Sequence, residues 1–411
     1  MKAILHFEFL KFWYAKKNLI VLMVFLAALL AMIAYNTILD NNYWATLEKD
    51  LNQERALISN EEIIAQEELK AARMAAKEAN IPEVHELVDE LKARVDFLHE
   101  QRMYSYQQAI LAKGYTKVRA QERLELWITR DQHWLKGFED GLVEPTSILA
   151  QNVTPIELEK RLAVNQVLLR DNIEPLNSPY EMTAVNFLYH FTSYPWILIV
   201  VITLMMLSMD LYSVDVEGGA YKVLYSQSYK RTTIHGVKFA LSVVTCIVLV
   251  TSLIALSFGI LSLGKGLGDM RYPTFCLEGA YTGLVTDSSV VDTVVPWLTY
   301  ITRVLPIYLL MSCFILILAG TASLLLGSTA NALSAVVCLL FLDYSFRILF
   351  PANSSFYLVW PFAALSFRDV VQGNYIGSAL AYLALLGGCI LLLPALSLAL
   401  LNKQDLKGGP A

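Results

Sequence analysis

The stretch LIVLMVFLAALLAMIAY, residues 19–35, has no charged side chain. It is close to the roughly 20 apolar residues that cross a bilayer core as a helix. A basic, amphipathic start, MKAILHFEFLKFWYAKKN (residues 1–18), precedes it. A cleaved signal peptide has the same layout, but no small-x-small cleavage site follows Ala34 and further apolar segments come later. We therefore predict a retained first transmembrane helix, preceded by an amphipathic interface helix.

Five more apolar segments of similar length follow along the chain. We place these spans at 187–211, 237–263, 303–326, 333–350 and 376–401. The turn GSTANA, residues 327–332, separates the fourth span from the fifth. The pattern predicts an all-α integral membrane protein with six transmembrane helices.

Polar residues are concentrated in one long insertion, residues 36–185. Hydrophobic types make up 56% of the chain and charged types only 17%, and most of the charge lies in this insertion. Its Ala-, Glu- and Lys-rich stretches predict helices, and two of them, joined near Pro82, predict a helical hairpin. Thr154, Pro155 and Glu157 form a helix-start signature. Two interpretations stay open: a solvated helical insertion, or a domain that contacts substrate or an outside partner.

Lysine and arginine in the short flanking segments indicate the orientation. They concentrate in three segments that six spans place on one side: the N-terminal segment, the loop at 212–236 and the tail at 402–411. We predict a multi-pass cell-membrane protein with both termini cytoplasmic, and with the insertion and the loops at 264–302 and 351–375 outside. The cations expected at the membrane interface are Lys11, Lys16, Lys17 and Lys238.

Several function classes lack support in the sequence. The net charge is −5 without a basic tract, so no nucleic-acid partner is expected. The five cysteines are scattered without metal-ligand spacing, and no catalytic constellation is present, so we expect neither a metal site nor an enzyme. GILSLGKG, residues 259–266, lacks the Ser or Thr that a phosphate-binding loop needs. We therefore expect no cofactor and no ATP site in this chain.

The segment after the second span is the most informative. Residues 213–238 read SVDVEGGAYKVLYSQSYKRTTIHGVK: acidic residues, then paired glycines, then an amphipathic stretch with a basic end. Gly218 and Gly219 allow a sharp change of direction. We interpret residues 212–236 as a compact elbow at the cytoplasmic membrane surface. An ordinary interfacial loop that obeys the charge rule is the alternative.

This segment resembles the permeases of type-2 ABC exporters, which carry an acidic-Gly-x-x-Lys-x-Leu segment after the second of six spans. The matching positions, with the basic residues that follow, are Glu217, Gly218, Lys222, Leu224, Arg231 and Lys238. Ser228 stands where the family usually has proline. The N-terminal segment is similar to the family's interface helix. YLVWPFAALSFRDVVQGN, residues 357–374, resembles its external half-helices. The large insertion between the first two spans is found in only some members.

The resemblance implies a division of labour. A separate cytoplasmic ATP-binding subunit, holding ATP and Mg, would dock on the elbow and the N-terminal helix. The permease would act in pairs, with a second copy or a related permease, in contact with membrane lipid. The residues expected to couple to the ATPase are Glu217, Gly218, Gly219, Lys222, Leu224, Lys230 and Arg231.

One charged pair lies inside an apolar span. Asp343 and Arg347 are four residues apart in the fifth span and share a helix face. Ionisable groups within spans are candidates for function, but these two lie near the outer end, where a structural pair is also expected.

Three functions stay open at this point. The first is ATP-driven export of an amphipathic or hydrophobic substrate, such as a peptide, an antimicrobial compound or a lipid. The second is extrusion of sodium by the same architecture. The third is a non-transporting membrane sensor or scaffold that uses the external helical domain.

Overall fold

The described part of the chain is mainly helical. The computed structural model describes residues 2–79, 82–113, 119–144, 147, 149, 153–194, 196–217, 231–276, 294–350, 354–372 and 378–404. The helices are α1 (Lys2–Tyr14), α2 (Lys16–Ala79), α3 (Pro82–Lys113), α4 (Ala120–Glu139), α5 (Pro155–Arg170), α6 (Ala184–Phe191), α7 (Ile197–Ser208), α8 (Asp210–Glu217), α9 (Arg231–Gly264), α10 (Trp297–Leu326), α11 (Thr329–Leu349), α12 (Phe367–Val371) and α13 (Ala379–Gln404). Two short strands, β1 (Pro273–Phe275) and β2 (Val294–Pro296), pair antiparallel.

Among the residues that the structure describes, six helical segments are long and apolar enough to cross a membrane. They are Lys16–Glu78, Ile197–Asp215, Thr232–Gly264, Trp297–Leu326, Thr329–Leu349 and Ala379–Ala399. These segments confirm the predicted all-α class and the number of spans. They make the chain a multi-pass membrane protein.

The helix that contains the first span continues beyond residue 35, the end that the sequence predicts for this span. Helix α2 has 64 residues and is about 96 Å long at 1.5 Å per residue. Neither proline nor glycine interrupts residues 36–44, so no residue forces the helix to stop there. The side chains of Asn36 and Thr37 donate hydrogen bonds to the carbonyls of Met32 and Ile33, at 2.9 and 2.8 Å respectively. Helix α2 therefore continues without a break from the apolar first span into the polar insertion.

The polar insertion, hereafter the hairpin domain (residues 36–185), is built on this continuation. Helix α3 begins at Pro82 and packs against α2, as the sequence predicts for a hairpin. Helices α4 and α5 contribute to its core, in which Trp134 and Leu158 are buried with Phe97. Helix α5 begins as predicted: the Thr154 hydroxyl accepts a hydrogen bond from the Glu157 amide at 3.3 Å.

The second span is not one helix from 187 to 211. It consists of α6, a turn, α7 and α8. The sequence has a proline at position 195, between α6 and α7, and proline has no backbone N–H to donate within a helix. At Met209 the chain turns only slightly and continues as α8, which reaches Glu217. Helix α8 includes residues 212–217 of the predicted elbow, α9 begins at Arg231, and residues 218–230 lie outside the described part of the chain.

The other boundaries shift by a few residues. Helix α10 begins at Trp297 rather than at 303, α11 at Thr329 rather than at 333, and α13 at Ala379 rather than at 376. The predicted external half-helices are two short 3-10 helices, Ser355–Leu358 and Pro361–Leu365, followed by α12.

Contacts between elements define two ends of the bundle. At the first, the elbow end, the Glu217 carboxylate meets the start of α11, and His235 of α9 meets Ser397 of α13. At the second, the hairpin end, the Ala184 amide donates to the Gly266 carbonyl at 3.1 Å, and Thr192 bonds Tyr300 at 2.9 Å. Consecutive spans therefore alternate in direction, and the N-terminal helix shares the elbow end with the last turns of α13.

Candidate functional site

The predicted coupling residues lie at or between the two ends of the elbow. Gly218, Gly219, Lys222, Leu224 and Lys230 are outside the described residues, and the side chain of Arg231 is not described. Arg231 is the first residue of α9.

Glu217, the last residue of α8, is exposed, and its Oε1 accepts a hydrogen bond from the Thr329 amide at 2.9 Å. That amide is one of the free N–H groups at the start of α11, where the helix dipole also favours a carboxylate. The segment that leads into the elbow is thus attached to the turn between the fourth and fifth spans.

Ser213 strengthens the same junction from within α8. Its amide donates to the Ser323 hydroxyl at 2.9 Å, and its hydroxyl lies 2.6 Å from that of Thr329. The turn itself is sharp because Gly327 adopts a left-handed conformation, with φ of 60°. Two side chains of α8, one buried and one exposed, therefore hold the α10–α11 turn.

Beside this junction lies a buried group of charges that we call the elbow cluster: Glu8, Lys11, Asp215 and Lys238. Lys238 is only 1% exposed, and its ammonium pairs with Asp215. Lys11 of α1 pairs with the same carboxylate. Glu8 Oε1 lies 3.4 Å from Lys238 Nζ, and the Leu211 carbonyl accepts from Nζ at 3.2 Å. The cluster joins α1, α8 and α9.

Burial makes these charges depend on one another. Transfer of a single ion from water into a protein interior costs several kcal/mol, and removal of one partner from a buried pair typically costs about 3–5 kcal/mol. Among the described side chains, Asp215 is neutralised by two lysines, whereas Glu8 has the more distant Lys238. The three helices are therefore held in contact by charges whose separation would cost several kcal/mol.

The sequence identified only half of this cluster. Lys11 and Lys238 were predicted as cations of the membrane interface, but Lys238 is inside the protein and Lys11 is half-buried in an ion pair. Of the other predicted interface cations, Lys16 is exposed and Lys17 is half-buried. Glu8 and Asp215 were not singled out as site residues.

A signal for the two missed acids is present in the sequence. Glu8 lies between two phenylalanines and Asp215 between two valines. An isolated carboxylate among apolar neighbours needs a cation from elsewhere in the fold.

At the hairpin end, Asp343 and Arg347 form the predicted ion pair, with Nε and Oδ2 2.8 Å apart. Arg347 also donates to the Ser366 hydroxyl at 2.6 Å and to the Phe362 carbonyl at 2.9 Å. The Trp360 indole donates to the other Asp343 oxygen at 2.9 Å. We call these residues the half-helix clamp, because they attach α11 to the segment that contains the two 3-10 helices and α12.

The guanidinium of the clamp also reaches the second span. Arg347 lies over the Tyr194 ring, 4.8 Å from its centre, a distance at which cation–π attraction operates. Asp343 is 1% exposed. The pair thus connects α11 with Trp360, Phe362 and Ser366 and with the second span at Tyr194.

Within the described part of the chain, no three His, Cys, Asp or Glu side chains come together as metal ligands. No protein-family model, curated protein or solved structure matches this chain.

Proposed function

We propose that this chain is the membrane-spanning permease subunit of an ATP-driven type-2 ABC exporter. The observation that carries the proposal is the attachment of the elbow at both ends. Its first end is fixed to α11 through Glu217, and α8 and α9, which flank it, are joined to α1 through the elbow cluster. A force applied to the elbow would therefore move four membrane-associated helices together.

This arrangement suits a subunit that is moved by a partner protein rather than one that hydrolyses ATP itself. ATP and Mg would be held by a separate cytoplasmic ATP-binding subunit that docks on the elbow and on α1. Buried ion pairs are good transmitters here, because they resist separation and so keep the joined helices in contact while they move. The elbow end would face the cytoplasm, as the basic residues of the sequence indicate, and the hairpin domain would lie outside the cell.

The proposed cargo is an amphipathic or hydrophobic molecule, such as a peptide, an antimicrobial compound or a lipid. The spans are apolar, and the charged pair in the fifth span is engaged by the half-helices. Two permeases, either identical or related, would form the pathway in contact with membrane lipid.

A sensor or scaffold is the second candidate, and the continuity of α2 favours it. One helix runs from beside the elbow cluster through the membrane and to the tip of the hairpin. A ligand bound by the hairpin domain would thus be connected to the elbow end by a single rigid element.

The proposal is tested by coexpressing the full chain with a candidate ATPase and replacing both Glu217 and Arg231 by alanine. We expect copurified ATPase to fall by about tenfold, equivalent to about 1.4 kcal/mol of binding free energy, and stimulated ATP hydrolysis to be lost. The matched control replaces Glu48 and Arg55 of the hairpin domain, which removes the same two charges far from the elbow. If copurification and stimulation both survive in the elbow variant, the docking assignment is wrong.

A further inference from the structure

A cavity of about 130 Å³ lies at the elbow end, beside the elbow cluster. It is enclosed by α1, the start of α2, the α7–α8 segment and the first turns of α9. The lining residues are Glu8, Lys11, Phe12, Ala15, Asn18, Leu207, Leu211, Val214, Lys238, Leu241, Ser242 and Thr245. We call this cavity the α1 cleft.

Two buried acceptors of the α1 cleft have no hydrogen bond from any described residue. Asn18 is 6% exposed, and its amide nitrogen donates to the Phe12 carbonyl at 2.8 Å, which leaves the buried Oδ1 without a donor. Glu8 is also 6% exposed, and its Oε1 has an ion pair at 3.4 Å but no hydrogen bond. Buried acceptors of this kind are rare in folded proteins, because each carries a desolvation cost.

The charges around the α1 cleft favour a cation over a neutral donor. Lys11 and Lys238 both contact Asp215, so the cluster's positive charge is concentrated on that one carboxylate. Among the described residues, the cation that neutralises Glu8 is Lys238, at the longer distance of 3.4 Å. An incoming ammonium group would supply the donors that Glu8 and Asn18 lack and would complete the neutralisation of Glu8.

The remaining walls are mainly apolar, with two hydroxyls from Ser242 and Thr245, and they lead toward an exposed apolar surface of α9. Phe12, Leu207 and Leu211 form part of the interior wall. Leu241 is half-buried, and Val244 and Val248 of the same helix are 61% and 56% exposed. Helical spacing places 241, 244 and 248 on one side of α9. An alkyl chain that leaves the cleft would therefore run along an apolar, exposed helix surface.

We propose that the α1 cleft binds the primary ammonium head of an amphiphile, with the ammonium between Glu8 and Asn18 and the apolar chain along α9. A trimethylammonium head lacks N–H donors and is larger, so it is excluded. The ligand comes from one of two sources: an aminophospholipid of the surrounding membrane, or a hydrophobic amine that the protein moves. The inference does not depend on an ATPase partner.

The test uses the full-length protein in maltoside micelles and follows its thermal unfolding midpoint. n-Decylammonium and dihexanoyl phosphatidylethanolamine are compared with n-decyltrimethylammonium and dihexanoyl phosphatidylcholine. We expect the two primary amines to raise the midpoint by about 2–4 °C at saturation, and the two quaternary amines to leave it unchanged. Equal shifts with both classes, or no shift with either primary amine, would overturn the proposal.

Three variants locate the effect. Glu8→Gln removes the negative charge, and Val214→Trp fills the mouth of the cleft, where Val214 is 39% exposed, without changing a charge. Both should abolish the shift, whereas Glu48→Gln in the hairpin domain should retain it. A shift of full size in both cleft variants would refute the site. Since Val214→Trp leaves the elbow cluster intact, it remains informative if Glu8→Gln fails to fold.

Native mass spectrometry separates the two sources. An aminophospholipid that copurifies with the wild type but not with Val214→Trp identifies the ligand as a membrane lipid. A wild type that is free of bound lipid and is stabilised by n-decylammonium identifies the second source. Both results support recognition of a primary ammonium group.

Discussion

The elbow cluster and the half-helix clamp are both buried groups of charges, but they are built in opposite ways. In the clamp, Asp343 and Arg347 are four residues apart on one helix, and their oxygens and nitrogens are used by nearby groups of the same end. In the cluster, Lys11 and Asp215 are 204 residues apart, and one acceptor of Glu8 has no hydrogen bond. The clamp fixes one local segment through groups that are bonded to one another. The cluster joins helices that are distant in sequence and leaves one Glu8 acceptor without a hydrogen bond from the described residues.

The difference indicates where a conformational change would cost little free energy. A satisfied local pair gains nothing by rearranging, so the clamp stabilises a single position of the half-helix segment. Two lysines that share one carboxylate, with a second carboxylate nearby, have an alternative pairing within reach. The elbow end is therefore the better place for a change that accompanies transport or signalling.

The largest expected effect comes from Lys238→Met, which leaves Asp215 and Glu8 buried with Lys11 as the cluster's remaining cation. We expect a loss of about 3–5 kcal/mol of stability, measured as a lower thermal unfolding midpoint and a lower yield of folded protein. The control is Lys16→Met, which removes an exposed lysine and should change stability by about 0.5 kcal/mol at most. Equal losses in the two variants would mean that Lys238 is not a buried partner of the cluster.

Arg347→Lys should have the next largest effect. The charge remains, but an ammonium cannot reproduce the fork that contacts Asp343, Ser366 and the Phe362 carbonyl together, so we expect a loss of about 2 kcal/mol. The loss should be local. Amide hydrogen exchange should quicken in residues 354–372 and stay unchanged in α1 and α9. Faster exchange across the whole bundle would contradict the view of the clamp as a local closure.

Glu8→Gln should cost much less than loss of Lys238, because Lys238 keeps Asp215 as its nearest carboxylate. We expect a change of about 1 kcal/mol, near the value of one hydrogen bond. Thermal unfolding without added ligand measures it, and Asp215→Asn is the comparison, with an expected loss of about 3 kcal/mol. Similar losses of stability in the two variants would show that Glu8 contributes as much to the cluster as Asp215 does.

Sequence patterns predicted the parts of this molecule that depend on local composition. Apolar runs of span length, the break near Pro82 and the Thr154 helix start are all readable over a few residues. The continuous α2 was missed because the polar residues 36–44 resemble a domain boundary, although none of them stops a helix. The clamp pair was found because its spacing is helical, and the acids of the elbow cluster were missed because their partners lie on other helices. The distribution of lysine and arginine along the sequence identifies cations near a membrane, but it does not identify which of their side chains are buried in the protein.

Glu217→Gln is the smallest perturbation and the one that best separates stability from coupling. The amide oxygen of glutamine still accepts from the Thr329 amide, and only the interaction of charge with the start of α11 is lost, worth about 0.5 kcal/mol. The unfolding midpoint should therefore barely move. If the proposed ATPase recognises the exposed carboxylate, the same variant should lose most of the stimulated ATP hydrolysis while the elbow cluster stays intact. A variant that keeps both its stability and its ATPase stimulation would restrict Glu217 to its hydrogen bond with α11, and the docking surface would then have to lie on other residues of the elbow or on α1.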